Sequence, residues 1–195
     1  MELLIATQNK DKLKEYRLLF NNSSLKLVKL PKQLICEENG ASFRENAIIK
    51  AKACGEEYQQ LSLADDSGLC IDYLRGAPGI HSHRFAKNGF ASARQKIVNL
   101  LQAVPEKKRA AQFVCCLALF DPISSKIKTF TGRVKGRISH RAKGTRGFGY
   151  DPIFFCPEIQ KTFGEAAAAE KNRVSHRARA VSQLKHYLRL TKALG

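Results

Sequence analysis

Two carboxylates stand side by side at Asp65 and Asp66, after the mostly apolar residues 61–64 and before Ser67-Gly68. Like charges this close repel, and a divalent cation or a lysine offsets the repulsion. Residues 61–64 read as a short buried strand that ends at the pair, and the ends of strands in open α/β sheets are where ligand clefts form. Metal binding or base catalysis suits such a position; a turn that uses aspartate for local hydrogen bonds is the alternative. A second acidic pair, Glu37-Glu38, precedes a helix in a chain with only 17 acids. It is a source of ligands for Mg²⁺, which takes carboxylates while keeping waters, or else a solvated turn. Lys50 falls beside the apolar stripe of that helix. There a lysine must snorkel, pair with an acid or face a polar cleft.

Three further segments carry donors. Thr7-Gln8-Asn9-Lys10-Asp11-Lys12 lies between a strand and a helix. Amides left unpaired at the helix start, the helix dipole and the two lysines favour a phosphate there. The segment lacks the glycines and the ending of a P-loop, so a Walker-type site is not indicated. In Gly147-Phe148-Gly149-Tyr150-Asp151-Pro152 two aromatics flank a glycine and offer faces to a base, unless they only pin the loop. Lys171, Ser175, His176 and Arg177 gather near the start of the last helix, and Arg177 presents a planar fork of donors. Ser67 and His176 do not make a serine hydrolase, because no nucleophile elbow surrounds Ser67.

The elements that must hold these residues are legible from period and caps. Residues 3–6 read as a buried strand, and the helix after them places Leu13, Tyr16 and Phe20 on one side. Residues 25–30 alternate as a strand. Ser42 and Glu45 match a capping box, each side chain reaching the other's amide. The helix it opens runs to about Tyr58, with Phe43, Ala47, Ala51, Cys54 and Tyr58 on one stripe and Asn46 at its edge. Residues 91–101 read as a helix. Residues 112–120 and 126–137 read as an antiparallel pair about Asp121-Pro122, and residues 174–193 as one basic helix. Strands and helices interleave, which predicts a mixed-sheet α/β or α+β fold with helices covering the sheet, in one domain spanning residues 1–195.

Composition narrows the partners. The 195 residues hold 34 Lys and Arg against 17 Asp and Glu, a net charge of +17, which points to an anionic partner. The apolar run 113–120 is far short of a spanning helix, and no secretory signal is visible at Met1-Glu2. The six cysteines form no CxxC pair and read as reduced core thiols of a cytoplasmic protein, without a zinc site.

Taken in order, five motifs resemble one family. They are Thr7-x-Asn9-x-x-Lys12-x-x-Glu15, Ser42-Phe43-x-Glu45-Asn46-Ala47-x-x-Lys50-Ala51, Ala64-Asp65-Asp66-Ser67-Gly68-Leu69, Phe148-Gly149-Tyr150-Asp151-Pro152 and Lys171-x-x-x-Ser175-His176-Arg177. The chain is similar to the inosine triphosphate pyrophosphatases, and Gly76-Ala77-Pro78-Gly79-Ile80 looks like their bacterial branch. The resemblance implies a two-lobed fold with a central mixed twisted sheet, helices on its flanks and an active-site cleft between lobes. It implies a homodimer, Mg²⁺ dependence, and hydrolysis of ITP, dITP and XTP to the monophosphate and pyrophosphate. Carried over by position, residues 7–12 hold the triphosphate, Glu37 is the main metal ligand of its pair ahead of Glu38, and Lys50 binds phosphate. Asp66 is the metal-binding general base, with Asp65 beside it, and Ser67 touches substrate. Phe148, Gly149, Tyr150, Asp151, Lys171, His176 and Arg177 form the base pocket. Gln8 stands where many members have glycine, and Tyr150 where some have tryptophan.

The implied chemistry suits these residues. Attack on an α-phosphorus needs cations against about four negative charges and a carboxylate to take the proton of water. Arginine or histidine donors aimed at a 6-oxo group favour hypoxanthine and xanthine over adenine. The rivals are a related pyrophosphatase for other modified or pyrimidine nucleotides, and a nucleic-acid-binding module. The second lacks any recognition signature, so neither nucleic acid nor membrane is an expected partner.

Overall fold

The computed structural model describes residues 2–21, 23, 25–32 and 34–193. Among these residues seven strands, β1 (Glu2–Ile5), β2 (Lys26–Lys29), β3 (Ser62–Ile71), β4 (Ala110–Asp121), β5 (Lys126–Ile138), β6 (Phe154–Cys156) and β7 (Lys161–Thr162), form one sheet in the order β2-β1-β3-β4-β5-β6-β7. β1 runs parallel to both β2 and β3, whereas β5, β6 and β7 pair antiparallel. The mixed sheet is therefore as the sequence led us to expect. Among the described residues five α-helices accompany it: α1 (Lys10–Phe20), α2 (Phe43–Tyr58), α3 (Gly89–Leu100), α4 (Ala168–Val174) and α5 (His176–Ala193). No helix of the described residues is long and apolar enough to cross a membrane.

The chain forms two compact units. The first is drawn from Met1–Asp66, Cys115–Gly132 and Arg177–Gly195. Its strands bury both faces, as the period of two requires. Leu3, Ile5, Cys115, Leu117 and Leu119 pack with Leu13, Tyr16 and Phe20 of α1 and Ala180, Val181 and Leu184 of α5. The alternate residues Leu4, Ala6, Cys116, Ala118 and Phe120 pack with Ala47, Ala51 and Cys54 of α2. The α1 stripe read from the sequence is buried throughout, whereas in α2 Ala47, Ala51 and Cys54 are buried and Phe43 and Tyr58 at its ends are half-buried. All six cysteines are free, four of them buried.

The second unit, Ser67–Val114 with Arg133–His176, has its own core, in which Leu69, Ile71, Ile97, Phe113, Val134, Phe154 and Phe163 meet. Arg109 is fully buried there. Its guanidinium donates to the carbonyls of Leu101 (2.5 Å), Ile138 (2.7 Å) and Ser139 (3.0 Å). The fork thus joins the C-terminal end of α3 to the end of β5 and satisfies carbonyls that burial would otherwise penalise.

Three local expectations are corrected. β3 does not end at the acidic pair but continues through Asp65, Asp66, Ser67 and Gly68 to Ile71. The strand is buried on both faces along almost its whole length, so the chain has no reason to turn there. The capping box is half formed. Ser42 Oγ accepts from the amide of Glu45 at 3.1 Å, but the Glu45 carboxylate accepts from the amide of Ala41 at 2.8 Å rather than that of Ser42. The last helix starts two residues later than expected, after a short helix that the sequence reading lacked: Ser175 closes α4 on the carbonyl of Lys171 and then adopts an extended ψ of 158°, so α5 starts at His176.

Candidate active site

In the first unit α1, α2 and β3 bring a cluster of charges together. Asp65 and Asp66 are both buried. Lys12, in the first turn of α1, places Nζ 3.0 Å from Asp65 Oδ2, and the guanidinium of Arg177 lies 3.9 Å from the same oxygen. Arg177 also donates to Glu15 at 2.9 Å. Lys50 is buried, with Nζ 3.3 Å from Asp66 Oδ1 and 3.0 Å from Glu38 Oε2. Asn46, one helical turn earlier, donates to Asp66 Oδ2 at 3.3 Å.

These partners drive the two adjacent acids apart. Burial works to raise the pKa of Asp65, but Lys12, Arg177 and Lys50 outweigh it and hold the carboxyl at about 2. Burial wins at Asp66, whose pKa is raised despite Lys50 and Lys12. Lys50 is disfavoured as a cation by burial, yet Asp66, Asp65 and Glu38 more than restore it and raise its pKa. The cluster thus holds one firmly ionised carboxylate, one more basic carboxylate and fixed cations. Neighbouring carboxylates separated in this way suit different roles in acid–base chemistry.

Of the second acidic pair it is Glu38, not Glu37, that reaches Lys50; Glu37 is exposed and makes no ion pair with a described residue. The phosphate-loop expectation also changes in detail. Asn9 caps α1 and accepts from the amides of Asp11 (2.9 Å) and Lys12 (3.1 Å), so two of the amides expected to meet phosphate already have a partner. Thr7 Oγ1 accepts from the amide of Asn9 at 3.3 Å, and the Gln8 side chain donates to the Lys32 carbonyl at 3.4 Å. Lys10 and Asp11 are exposed in the first turn of α1.

The second unit holds the aromatic loop. Asp151 Oδ2 accepts from the amide of Phe148 at 2.8 Å and from Lys171 Nζ, and both Asp151 and Lys171 are buried. The Lys171 ammonium lies 5.1 Å from the centre of the Phe148 ring. Gly147 has φ +70°, and a Cβ there would stand 2.1 Å from Asp151 Oδ2, so the loop closes on Asp151 only with glycine. The Gly149 carbonyl accepts from Arg94 at 2.7 Å. His176 stacks on Phe113 with ring centres 4.8 Å apart and planes 10° apart. Ser67, on β3, is half-buried.

Two members of the expected base pocket differ from the sequence reading. Tyr150 is buried, with its hydroxyl donating to the Ser82 carbonyl at 2.7 Å and Phe90 edge-on at 5.4 Å, so its ring pins the loop and offers no face to a base. The fork of Arg177 serves Glu15 and Asp65 in the first unit. Glu15 and Asn46 were part of the motifs but had no role assigned. Their signal is the spacing, Glu15 three residues after Lys12 and Asn46 four before Lys50, which puts each on the face of a residue already singled out.

The donor set suits a hard cation. Among the described residues no three His, Cys, Asp or Glu side chains gather as a metal-binding group. Glu38 and Asp66 do share one ammonium at 3.0 and 3.3 Å, and two carboxylates completed by substrate phosphates are what Mg²⁺ ordinarily takes.

The chain has relatives among known proteins in both sequence and fold. The chain is 42% identical over 188 residues to a Listeria innocua protein named dITP/XTP pyrophosphatase, covering 94% of this chain and 92% of that one. A Halalkalibacterium halodurans protein of the same name is 43% identical over 192 residues, covering 96% and 98%. The fold matches the structure of the Staphylococcus aureus Ham1 protein with a TM-score of 0.85 at 34% identity, covering 97% of this chain and 98% of that one. A HAM1 protein from Coxiella burnetii gives the same TM-score at 38% identity, covering 96% and 98%. The model of the Ham1 family matches residues 3–187, and the chain belongs to that family.

Proposed function

We propose that this chain hydrolyses the non-standard purine nucleoside triphosphates ITP, dITP and XTP to the monophosphate and pyrophosphate, removing them from the cytoplasmic nucleotide pool. The observation that carries the reading is the divided acidic pair, Asp65 held ionised at about 2 beside a more basic Asp66, among Lys12, Lys50 and Arg177. The curated relatives named dITP/XTP pyrophosphatase support the substrate class.

In this reading Asp66 takes the proton of the water that attacks the α-phosphorus. The bond to the α–β bridging oxygen breaks, and pyrophosphate leaves with that oxygen. Lys12, Lys50 and Arg177 offset the charge that develops on the phosphates, with Asp65 holding Lys12 and Arg177 in place. Glu38 and Asp66 would hold Mg²⁺, which when bound neutralises phosphate charge. Phe148 gives a face to the base, and Asp151, Lys171 and His176 supply its polar partners. Arg177, engaged by Glu15 and Asp65, is assigned to the phosphate side rather than to the 6-oxo group. The family resemblance supports a homodimer, which sedimentation in solution checks.

The test is a screen of pyrophosphate release from the common nucleotides, ITP, dITP and XTP, with and without Mg²⁺. Release of pyrophosphate from ITP and XTP far above that from ATP and GTP is expected. Preference for a pyrimidine nucleotide, or release of orthophosphate alone, refutes the proposal.

A further inference from the structure

Asn46 makes two contacts that belong together. Its Oδ1 accepts from the backbone amide of Gly40 at 2.9 Å, and its Nδ2 donates to Asp66 Oδ2 at 3.3 Å. The first contact fixes the second. A backbone N–H can only donate, so the atom facing Gly40 must be the carbonyl oxygen, and the amide NH₂ is left to face Asp66. Asn46 is 2% exposed, which leaves water little access to compete. Lys50, four residues on along α2, repeats the pattern: its ammonium takes the other oxygen of Asp66 and reaches back to Glu38. One face of α2 thus grips both oxygens of Asp66 and two points of the segment 38–40. The approach is close enough to need glycine, since a Cβ on Gly40 would lie 2.8 Å from Asn46 Oδ1 and 2.7 Å from Glu45 Cβ.

We infer that Asn46 is a positioning residue, which sets the rotation of the Asp66 carboxylate and ties it to the segment carrying Glu38. This rests on the reading of Asp66 as the base. Asn46 fixes which oxygen of Asp66 meets the amide donor and which meets the Lys50 ammonium, and so the plane in which the carboxylate presents its remaining lone pairs. An aspartate at this position would keep the acceptor for Gly40 and replace the donor with an oxygen facing an oxygen.

The experiment measures kcat and KM for ITP, thermal midpoint, and hydrogen-exchange protection of the Gly40 amide in wild type, Asn46→Asp, Gly40→Ala and Asp66→Asn. In Asn46→Asp the Gly40 amide stays protected and KM stays within about threefold, while kcat falls on the order of ten- to a hundredfold, the scale expected for a misplaced catalytic group. Gly40→Ala lowers kcat in the same direction, by pushing the Asn46 amide from the other side. A wild-type kcat in folded Asn46→Asp overturns the inference, as does a loss confined to KM. If Asn46→Asp does not fold, a wild-type kcat in Gly40→Ala overturns it. Asp66→Asn separates the two readings. An active Asp66→Asn removes the base assignment itself, whereas an inactive Asp66→Asn beside a fully active Asn46→Asp removes only the role of Asn46.

Discussion

Replacing Asp65 by asparagine tests the charge cluster without reference to catalysis. The Asp65 side chain is 1% exposed, with Lys12 at 3.0 Å and Arg177 at 3.9 Å. Burial opposes its ionisation, and Lys12, Arg177 and Lys50 reverse that, lowering the pKa from 3.8 to about 2. A carboxyl whose folded pKa is depressed stabilises the fold above its unfolded value, and the stabilisation is lost as pH falls through the folded value. The difference of about 1.8 in pKa corresponds to about 2 kcal/mol at neutral pH, most of it gone between pH 4 and pH 2. The amide of the Asp65→Asn variant does not titrate and has no such dependence. Removing one partner of a buried ion pair also strands the cations, so Asp65→Asn should cost more than the linkage alone, about 3–5 kcal/mol at pH 7. The assay is urea unfolding of both proteins from pH 7 to pH 2. The gap between wild type and Asp65→Asn should narrow by about 2 kcal/mol across that acid window. Carboxylates remote from Asp65 titrate alike in both proteins and cancel in the difference, whereas Asp66, whose pKa Asp65 helps to raise, adds a contribution of its own. A gap that stays constant from pH 5 to pH 2 refutes the account of Asp65.

Lys50→Met keeps the apolar stem and removes the ammonium between Glu38 and Asp66; the protein should fold, and kcat for ITP should drop on the order of a hundredfold or more, checked by pyrophosphate release beside a circular dichroism spectrum. Arg177→Ala should lower kcat/KM for ITP and ATP by the same factor, because its fork is engaged by Glu15 and Asp65; a narrowed ITP to ATP ratio would return Arg177 to the base. Phe148→Ala should weaken all purine nucleotides alike, by about 1–3 kcal/mol of lost stacking, read as parallel falls in kcat/KM for ITP, XTP and ATP. Gly147→Ala forces a Cβ onto Asp151 at a φ of +70°; beyond the roughly 1–2 kcal/mol of backbone strain, it should detach Asp151 from Phe148 and Lys171, seen as a lower thermal midpoint and weaker binding of the base.

Local rules account for what was legible in the sequence. The angle of Lys50 on its helix follows from Ser42 and the 100° step, and that was enough to place it beside the buried stripe, where the structure has it. The stripes of α1 and α2 are likewise properties of neighbouring residues. The strand through Asp65 and Asp66 was misjudged because two carboxylates look like a turn until the cations that offset them are known, and Lys12 and Arg177 lie far along the chain. The choice of Glu38 over Glu37 belongs to a segment without regular structure, where no period says which side chain turns inward. Tyr150 was read as a stacking face because its buried acceptor, the Ser82 carbonyl, is 68 residues away. The pairing of Arg177 with Glu15 spans 162 residues and leaves no local mark.

That span bears on how the protein is made. The first unit takes its opening segment, with β1, α1, β2 and α2, from residues made before those of the second unit, and its closing segment from Arg177 onward. Leu13, Tyr16 and Phe20 must wait for Ala180, Val181 and Leu184, and the carbonyl of Leu19 for Lys185. Synthesis at about 5–20 residues per second leaves that apolar surface uncovered for on the order of ten seconds or more. The second unit, whose residues all lie between Ser67 and His176, is complete in the nascent chain before the first can close. Chaperone capture during translation should therefore fall on the opening segment of the first unit and end only when α5 emerges. A chain stopped at residue 176 should retain a protease-resistant core that maps to the second unit.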